Sequence, residues 1–331
     1  MDEGEDRRFR VLGLGIRLTP RKAVQVALDY AMVFVLVLLL VAATIVYPGF
    51  ISSTNIANIV SQNSDLGLVA IGMTFVIIGG GFDLSVGAIY ALCAVLFAGV
   101  SQSYPLPEAA LFTVIVGAIA GTINGYLITS LDINPFVATL GTGSAIAGLA
   151  LVYTGGFPVQ PTDPNFSDLG TGRFAGVPIA AVLLLVAFLI AAVVLHRTVY
   201  GRALFAVGGN WEAARLSGIR VKVVRASTYS LIGLLTGIAG VLIASRLNVG
   251  QAAIGALLPL QAISVVVIGG TSLLGGDGAI WRTAVGLAVL AVLTNLFYSL
   301  SIDFYWQRVM QGVIILIAVG VDAYGRRVKS A

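Results

Sequence analysis

The sequence predicts an all-α integral membrane protein, and both its composition and the lengths of its apolar runs indicate this class. Of the 331 residues, 58% are hydrophobic and only 10% are charged, which is too little polar surface to cover a water-soluble protein. A transmembrane helix needs about 20 apolar residues. Short polar or Gly/Pro-rich breaks divide the chain into many runs of that kind. We therefore expect one continuous helical membrane domain.

The apolar runs predict about ten spans. Because several of these runs are short or interrupted by glycine, a total of roughly eight to eleven spans is compatible with the sequence. The first run is too long for a signal peptide and lacks a small-residue cleavage pattern, so we expect it to be retained as a span. This predicts a tail over 1–26, a membrane domain over 27–322 and a second tail over 323–331. The predicted spans cover approximately 27–47, 65–81, 84–101, 109–129, 135–154, 178–196, 226–245, 260–275, 280–300 and 305–322.

The distribution of Lys and Arg predicts the orientation, because basic loops stay on the cytoplasmic side of a membrane. With ten spans, one side holds six basic residues before the first span, six in the loop 196–225, Arg282, and three in the tail after 322. The other side holds only Arg173, Arg246 and Arg308. We therefore expect a multi-pass protein of the inner (plasma) membrane with both termini in the cytoplasm. The same pattern explains the basic charge without nucleic-acid binding.

The residue content excludes most enzyme chemistry. The single Cys93 and single His196 cannot form a disulfide framework, a Cys/His metal cluster or a nucleophilic triad. None of the three lysines lies in a Gly-x-x-x-x-Gly-Lys-Ser/Thr phosphate loop, so the chain cannot hydrolyse ATP by itself. We expect no catalytic residue, no metal and no cofactor on this chain.

A glycine-rich segment at 79–87 places one carboxylate between two apolar runs. Acids in or near a membrane are costly and usually functional. Glycine permits a break in the helix, and Asp83 or Ser85 can cap the free N–H groups of the helix that follows. We favour a cap and hinge made by Gly80, Asp83, Ser85 and Gly87 over a direct solute ligand.

The basic loop 196–225 contains a short capped helix. Asn210 is a good N-cap, Glu212 suits the first turn and Gly218 suits the C-terminus, so Trp211–Ser217 is predicted to be helical. A helix of about two turns is unstable alone and needs a partner surface. On composition alone, an amphipathic loop lying on the lipid surface is the alternative.

Two glycine-containing segments of the chain are similar in sequence. Ile78-Gly79-Gly80 is followed by Gly87-Ala88-Ile89, and Ile268-Gly269-Gly270 is followed by Gly278-Ala279-Ile280. The span count gives both segments the same sense across the membrane, so they do not establish an inverted repeat.

Four segments together resemble the ribose/galactose-type sugar permeases of ATP-binding-cassette (ABC) transporters. The segments, in order over about residues 45 to 320, are 83–87, 134–141, 196–219 and 266–273. The resemblance implies a type II-like importer fold with alternating access driven by a separate cytoplasmic ATPase, which carries ATP and Mg. It also implies a periplasmic or lipoprotein solute-binding protein and a second permease copy or paralogue. The resemblance identifies the ATPase-coupling segment with Gly208, Gly209, Asn210, Glu212, Ala213, Ala214 and Gly218.

The chain departs from that pattern at Gln261, where we expect an acid in many relatives, and at Asp277-Gly278, which interrupts a glycine-rich turn. Branched-chain amino acid and nucleoside permeases are the nearest alternatives. A self-contained secondary transporter is a further one. It is disfavoured by the 209–218 loop and by the scarcity of carboxylates in the spans.

Polar side chains inside the apolar runs are the candidates for the solute pathway, because a sugar is held by hydrogen bonds to its hydroxyl groups. Such side chains also join transmembrane helices to one another, so each has a competing structural interpretation. The 121–125 and 141–144 runs are more typical of close helix packing. The pathway candidates are Asn124, Asn134, Thr139, Gln261, Ser264 and Asn295.

Overall fold

The computed structural model describes residues 9–10, 17–18, 30–303, 305–310, 312–313, 316 and 320. Helices dominate, and the strands are two short antiparallel hairpins that join β1 (Phe9–Arg10) to β2 (Arg17–Leu18) and β3 (Arg173–Phe174) to β4 (Val177–Pro178). The helices are α1 (Ala31–Val46), α2 (Ser53–Gln62), α3 (Ser64–Ile78), α4 (Val86–Val100), α5 (Leu106–Thr129), α6 (Pro135–Thr154), α7 (Asp168–Thr171), α8 (Ile179–Arg197), α9 (Val199–Gly209), α10 (Trp211–Leu216), α11 (Val221–Leu247), α12 (Leu258–Ile268) and α13 (Ile280–Ser299).

The all-α membrane class is confirmed by the length and composition of these helices. Five of them, α5, α6, α8, α11 and α13, are long and apolar enough to cross a membrane, and α2 with α3 forms a sixth candidate bent by 49°. Three more apolar helices, α1, α4 and α12, are shorter. Within the predicted run 305–322, the described residues 305–310, 312–313, 316 and 320 are helical, and the others lie outside the described residues. The count of ten spans therefore stays a prediction.

Helix α11 is the centre of the bundle and packs against α5, α3 and α4. Its contact with α5 is made by backbone, because a Cβ on Gly121 would lie 2.1 Å from the carbonyl oxygen of Tyr229. A Cβ on Gly125 would lie 2.7 Å from the carbonyl oxygen of Ala226. This confirms the close helix packing predicted for 121–125. In the second predicted run, Gly143 lies against Ser85, whereas Gly141 faces open space.

Two short helices, α3 and α12, end beside each other at one end of the bundle. Helix α12 has 11 residues and is about 16 Å long, roughly half the thickness of a bilayer core. The hydroxyls of Thr74 and Thr283 lie 2.7 Å apart, which joins α3 to α13 near these ends. The backbone N–H of Gly276 donates to the Ile78 carbonyl at 2.9 Å. The two similar Ile-Gly-Gly segments are thus brought together through the turn after α12.

Candidate functional site

A cavity of about 460 Å³ lies between α3, α4, α11, α12 and α13. This volume is in the usual range for small-molecule sites. Among the sequence candidates, Gln261 and Ser264 line it. The other polar side chains in its wall are Gln62, Asn63, Asp65, Tyr90, Thr294, Tyr298, Gln307 and Arg308. The cavity therefore offers amide, hydroxyl and carboxylate groups within an otherwise apolar bundle.

Asp65, a carboxylate of the cavity wall, forms an ion pair with Arg246, which does not itself line the cavity. The Arg246 Nη2 lies 3.1 Å from the Asp65 Oδ2, and the Nη1 lies 3.3 Å from Oδ1. The hydroxyl of Tyr90 also donates to the Asp65 Oδ2. The Arg246 and Asp65 side chains are only 21% and 9% exposed. Each charge is therefore compensated within the protein, and we call these three residues the ionic cluster.

The ionic cluster also holds the bend between α2 and α3. The Arg246 Nη1 donates to the carbonyls of Ser61 and Gln62 at 3.0 and 3.1 Å. Carbonyls in the last turn of a helix lack partners within that helix, and Arg246 supplies them. Sequence reasoning placed Arg246 in an outer loop and did not select Asp65. A charged residue within an apolar run was the available signal.

Asp83 is fully buried at the break between α3 and α4. Its Oδ1 accepts hydrogen bonds from the backbone N–H and the hydroxyl of Ser85 at 2.8 and 2.6 Å. The break itself contains Gly80 with φ +76°, a backbone conformation that favours glycine. A Cβ on Gly87 would lie 2.4 Å from the carbonyl oxygen of Gly255. The four predicted residues thus lie at or beside the helix break, with Gly87 tightly packed and Gly80 exposed. The predicted cap is wrong, because Ser85 is the N-cap of α4 and neither its side chain nor that of Asp83 bonds to an N–H group of the helix beyond it.

The bonds of Asp83 continue across the bundle. The Asn124 amide donates to the Ser85 hydroxyl at 2.7 Å, and the Thr142 hydroxyl donates to the Asn124 oxygen at 2.7 Å. The Thr139 hydroxyl accepts from the backbone N–H of Leu84 at 3.1 Å. These side chains join α4, α5 and α6 and do not line the 460 Å³ cavity. Among the described residues, the second Asp83 oxygen has no hydrogen-bond partner.

Two further pathway candidates are also engaged in structural contacts. The Asn134 side chain accepts from the backbone N–H of Phe136 and caps α6. Asn295 and Asn55 exchange two amide hydrogen bonds of 3.1 and 2.9 Å, which join α13 to α2. Only Gln261 and Ser264 of the six pathway candidates therefore line the cavity. Asn124, Thr139 and Asn295 have the helix-joining geometry that was the competing interpretation, and Asn134 caps its own helix.

The predicted helix in the basic loop is α10, Trp211–Leu216, one residue shorter than expected. Its N-cap is Asn210, whose side-chain oxygen accepts from the N–H groups of Glu212 and Ala213 at 3.1 and 3.0 Å. Gly218 follows with φ +83°. Trp211 and Leu216 are 56% and 80% exposed. The helix presents apolar side chains outside the bundle.

The segment before α10 contacts the bundle through glycines. A Cβ on Gly208 would lie 1.7 Å from the Ile78 carbonyl oxygen, and one on Gly276 would lie 2.6 Å from the Gly209 Cα. Gly275 is within 3.1 Å of Gly80 by the same measure. We call this contact of three segments the glycine junction. At these glycines it joins the entry to α10, the break after α3 and the turn after α12 through close backbone contacts.

Comparisons with known proteins identify relatives of the whole chain. The family described as branched-chain amino acid transport system / permease component matches residues 55–319. The ribose import permease protein RbsC of Bacillus subtilis is 44% identical over 302 residues, covering 89% of this chain and 92% of that protein. RbsC of Escherichia coli K12 is 38% identical over 299 residues, covering 88% and 92%.

A relative named for another sugar also matches. The L-arabinose ABC transporter permease protein AraH of Azospirillum brasilense is 32% identical over 300 residues, covering 90% of this chain and 88% of that protein. No solved structure gives a significant match.

Proposed function

The chain belongs to this family of permease components and to its sugar ABC branch, and from that membership we propose that it imports ribose or a similar monosaccharide. It is a multi-pass membrane protein by its family and its apolar helices. The observation that carries the choice of solute is the 44% identity, over nearly the full length, to a ribose import permease.

The chemistry of the cavity supports a neutral, hydroxyl-rich solute. Gln261 offers an amide and Ser264 a hydroxyl, and such groups can donate to and accept from sugar hydroxyls. The charges of Asp65 and Arg246 compensate each other, so the carboxylate in the wall does not require a cationic solute. A monosaccharide fits both the polarity and the size of this space.

The partners follow from the proposed function. ATP and Mg would be bound by a separate cytoplasmic ATPase, because this chain has no phosphate loop. A periplasmic or lipoprotein solute-binding protein would deliver the sugar, and a second permease copy or paralogue would complete the pore. In this proposal the ATPase seats α10, and the glycine junction carries its movement to the helix break beside Asp83, so that access alternates between the two sides.

The proposed arrangement in the membrane has ten spans and cytoplasmic termini. The basic loop that contains α9 and α10 then faces the ATPase, and the cavity faces the opposite side. Reporter fusions after Lys329 and within 154–177 test this directly. An external C-terminus, or a cytoplasmic 154–177 segment, would contradict it.

Transport in reconstituted vesicles tests the function. The permease and ATPase are inserted with ATP inside, and ribose and the binding protein are added outside. We expect ribose accumulation that requires ATP hydrolysis, with no accumulation of leucine or uridine when each is offered with a binding protein of its own. Leucine or uridine accumulation would favour the amino acid or nucleoside alternative. Ribose uptake driven by an ion gradient without the ATPase would show a secondary transporter and refute the proposal.

A further inference from the structure

A second cavity, of about 220 Å³, lies beside α10 at the basic end of the bundle. Three cationic side chains and one carboxylate line it: Arg215 from α10, Lys222 and Arg225 from α11, and Asp132 from the loop after α5. The Lys222 ammonium lies 3.7 Å from the Asp132 carboxylate. Two positive charges therefore remain uncompensated by the lining of this cavity.

The two arginines of this cavity differ in their surroundings. Arg215 lies over the ring of Trp211, with its guanidinium carbon 5.8 Å from the ring centroid. Arg225 is half-buried. Within the ranges that the structure describes, its guanidinium makes no hydrogen bond or ion pair. One guanidinium group can donate two parallel hydrogen bonds to two oxygens of a phosphate. The chemistry of the cavity therefore suits a phosphate group.

An apolar surface leads from the bundle to this cavity. Along α5, Ile115, Ile119, Ile123 and Tyr126 are 47 to 57% exposed, and their spacing of three or four residues places them on one face. That helix ends at Thr129, which lines the cavity. A ligand with a phosphate head and an apolar tail would contact both surfaces at once.

We propose that this cavity binds the phosphate headgroup of an anionic phospholipid, with the acyl chains lying along the exposed face of α5. The position suits a lipid, because basic residues at helix ends collect at the membrane interface. Basic pockets between transmembrane helices are also known sites for anionic headgroups. A free phosphate ester shares the headgroup chemistry but cannot use the apolar face.

The test compares lipid binding by full-length permease variants. The affinity for phosphatidylglycerol is measured by native mass spectrometry in nonionic detergent, with phosphatidylcholine as the neutral lipid. Arg225→Gln is the test variant. Arg220→Gln is the matched control, since Arg220 stands at the start of the same helix, is exposed and does not line the cavity. Arg225→Lys keeps the charge.

We expect Arg225→Gln to weaken phosphatidylglycerol binding about fivefold, Arg220→Gln to leave it unchanged, and Arg225→Lys to retain most of it. Binding of phosphatidylcholine stays the same in all variants. If Arg225→Gln fails to fold, Lys222→Gln on the rim of the cavity gives the same comparison. Equal phosphatidylglycerol affinity in the test and control variants overturns the site. Displacement of the lipid by equimolar glycerol 3-phosphate assigns the site to free phosphate esters and overturns the lipid.

Discussion

Removing Arg246 should destabilise the protein more than removing any exposed arginine. The side chain makes four hydrogen bonds, two to Asp65 and one each to the carbonyls of Ser61 and Gln62. Breaking a buried ion pair by deleting one partner costs about 3–5 kcal/mol. Because Arg246 is 21% exposed and water in the cavity can solvate the remaining carboxylate, we expect Arg246→Gln to lower the free energy of unfolding by about 3 kcal/mol, the lower end of that range.

The assay is reversible unfolding in mixed micelles of an anionic and a nonionic detergent. Asp65→Asn should also destabilise, and the double variant Asp65→Asn/Arg246→Gln should lose less than the sum of the two single losses, because residues in one ion pair are coupled by about 0.5–3 kcal/mol. Arg173→Gln is the control. Among the described residues, the Arg173 side chain bonds only to the carbonyl of Gly176 in the β3–β4 turn, so its loss should stay within about 0.5 kcal/mol. Strictly additive losses would refute the coupling of Asp65 to Arg246.

Three other predictions concern the helix break and its link to α10. Asp83→Asn, which keeps an acceptor oxygen for the Ser85 N–H, should retain part of transport, whereas Asp83→Leu should lose it; equal and complete loss in matched uptake assays would instead indicate an essential charge. Glu212→Arg or Ala214→Trp, the latter at a site only 4% exposed, should separate stimulated ATP hydrolysis from uptake or release the ATPase, while membrane insertion and dimerisation survive. Wild-type hydrolysis and uptake in both variants would show that α10 has no role in coupling to the ATPase. Gly208→Ala, whose Cβ would lie 1.7 Å from a carbonyl oxygen, should reduce uptake at least tenfold at normal expression. Gly148→Ala, at a glycine of α6 where a Cβ meets open space, is its control; equal activity of the two would exclude a role for the close contact.

The sequence predicted those features that depend on neighbouring residues. The cap of α10 is an example, because Asn210 bonds to N–H groups only two and three residues away, and the helix was predicted to within one residue at its end. The Asp83 bond to Ser85 is similarly local, although it goes to the N–H of the N-cap residue and not, as predicted, to the helix that follows. In each case the side chain and its partner lie in one short stretch, where residue type decides the geometry.

The long-range partners could not be read from the sequence. Arg246 and Asp65 are 181 residues apart, and Asn295 and Asn55 are 240 apart. A polar side chain in an apolar run must find a partner, but its type does not say which of the other polar side chains that partner is. For this reason Asn295 was a pathway candidate although it joins two helices, and Asp65 was missed although it lines the cavity.

The glycine junction has a mechanical consequence. Where side chains separate two segments, rotamer changes can absorb a small displacement before it reaches the next element. No side chain separates Gly208, Gly276 and the Ile78 carbonyl, because their backbone atoms are already in contact. A shift of α10 by a fraction of an ångström must therefore move the end of α3 by a similar amount or pull the contact apart. The junction is therefore a rigid contact. A larger side chain at one of its glycines would disrupt it, and few substitutions could weaken it gradually.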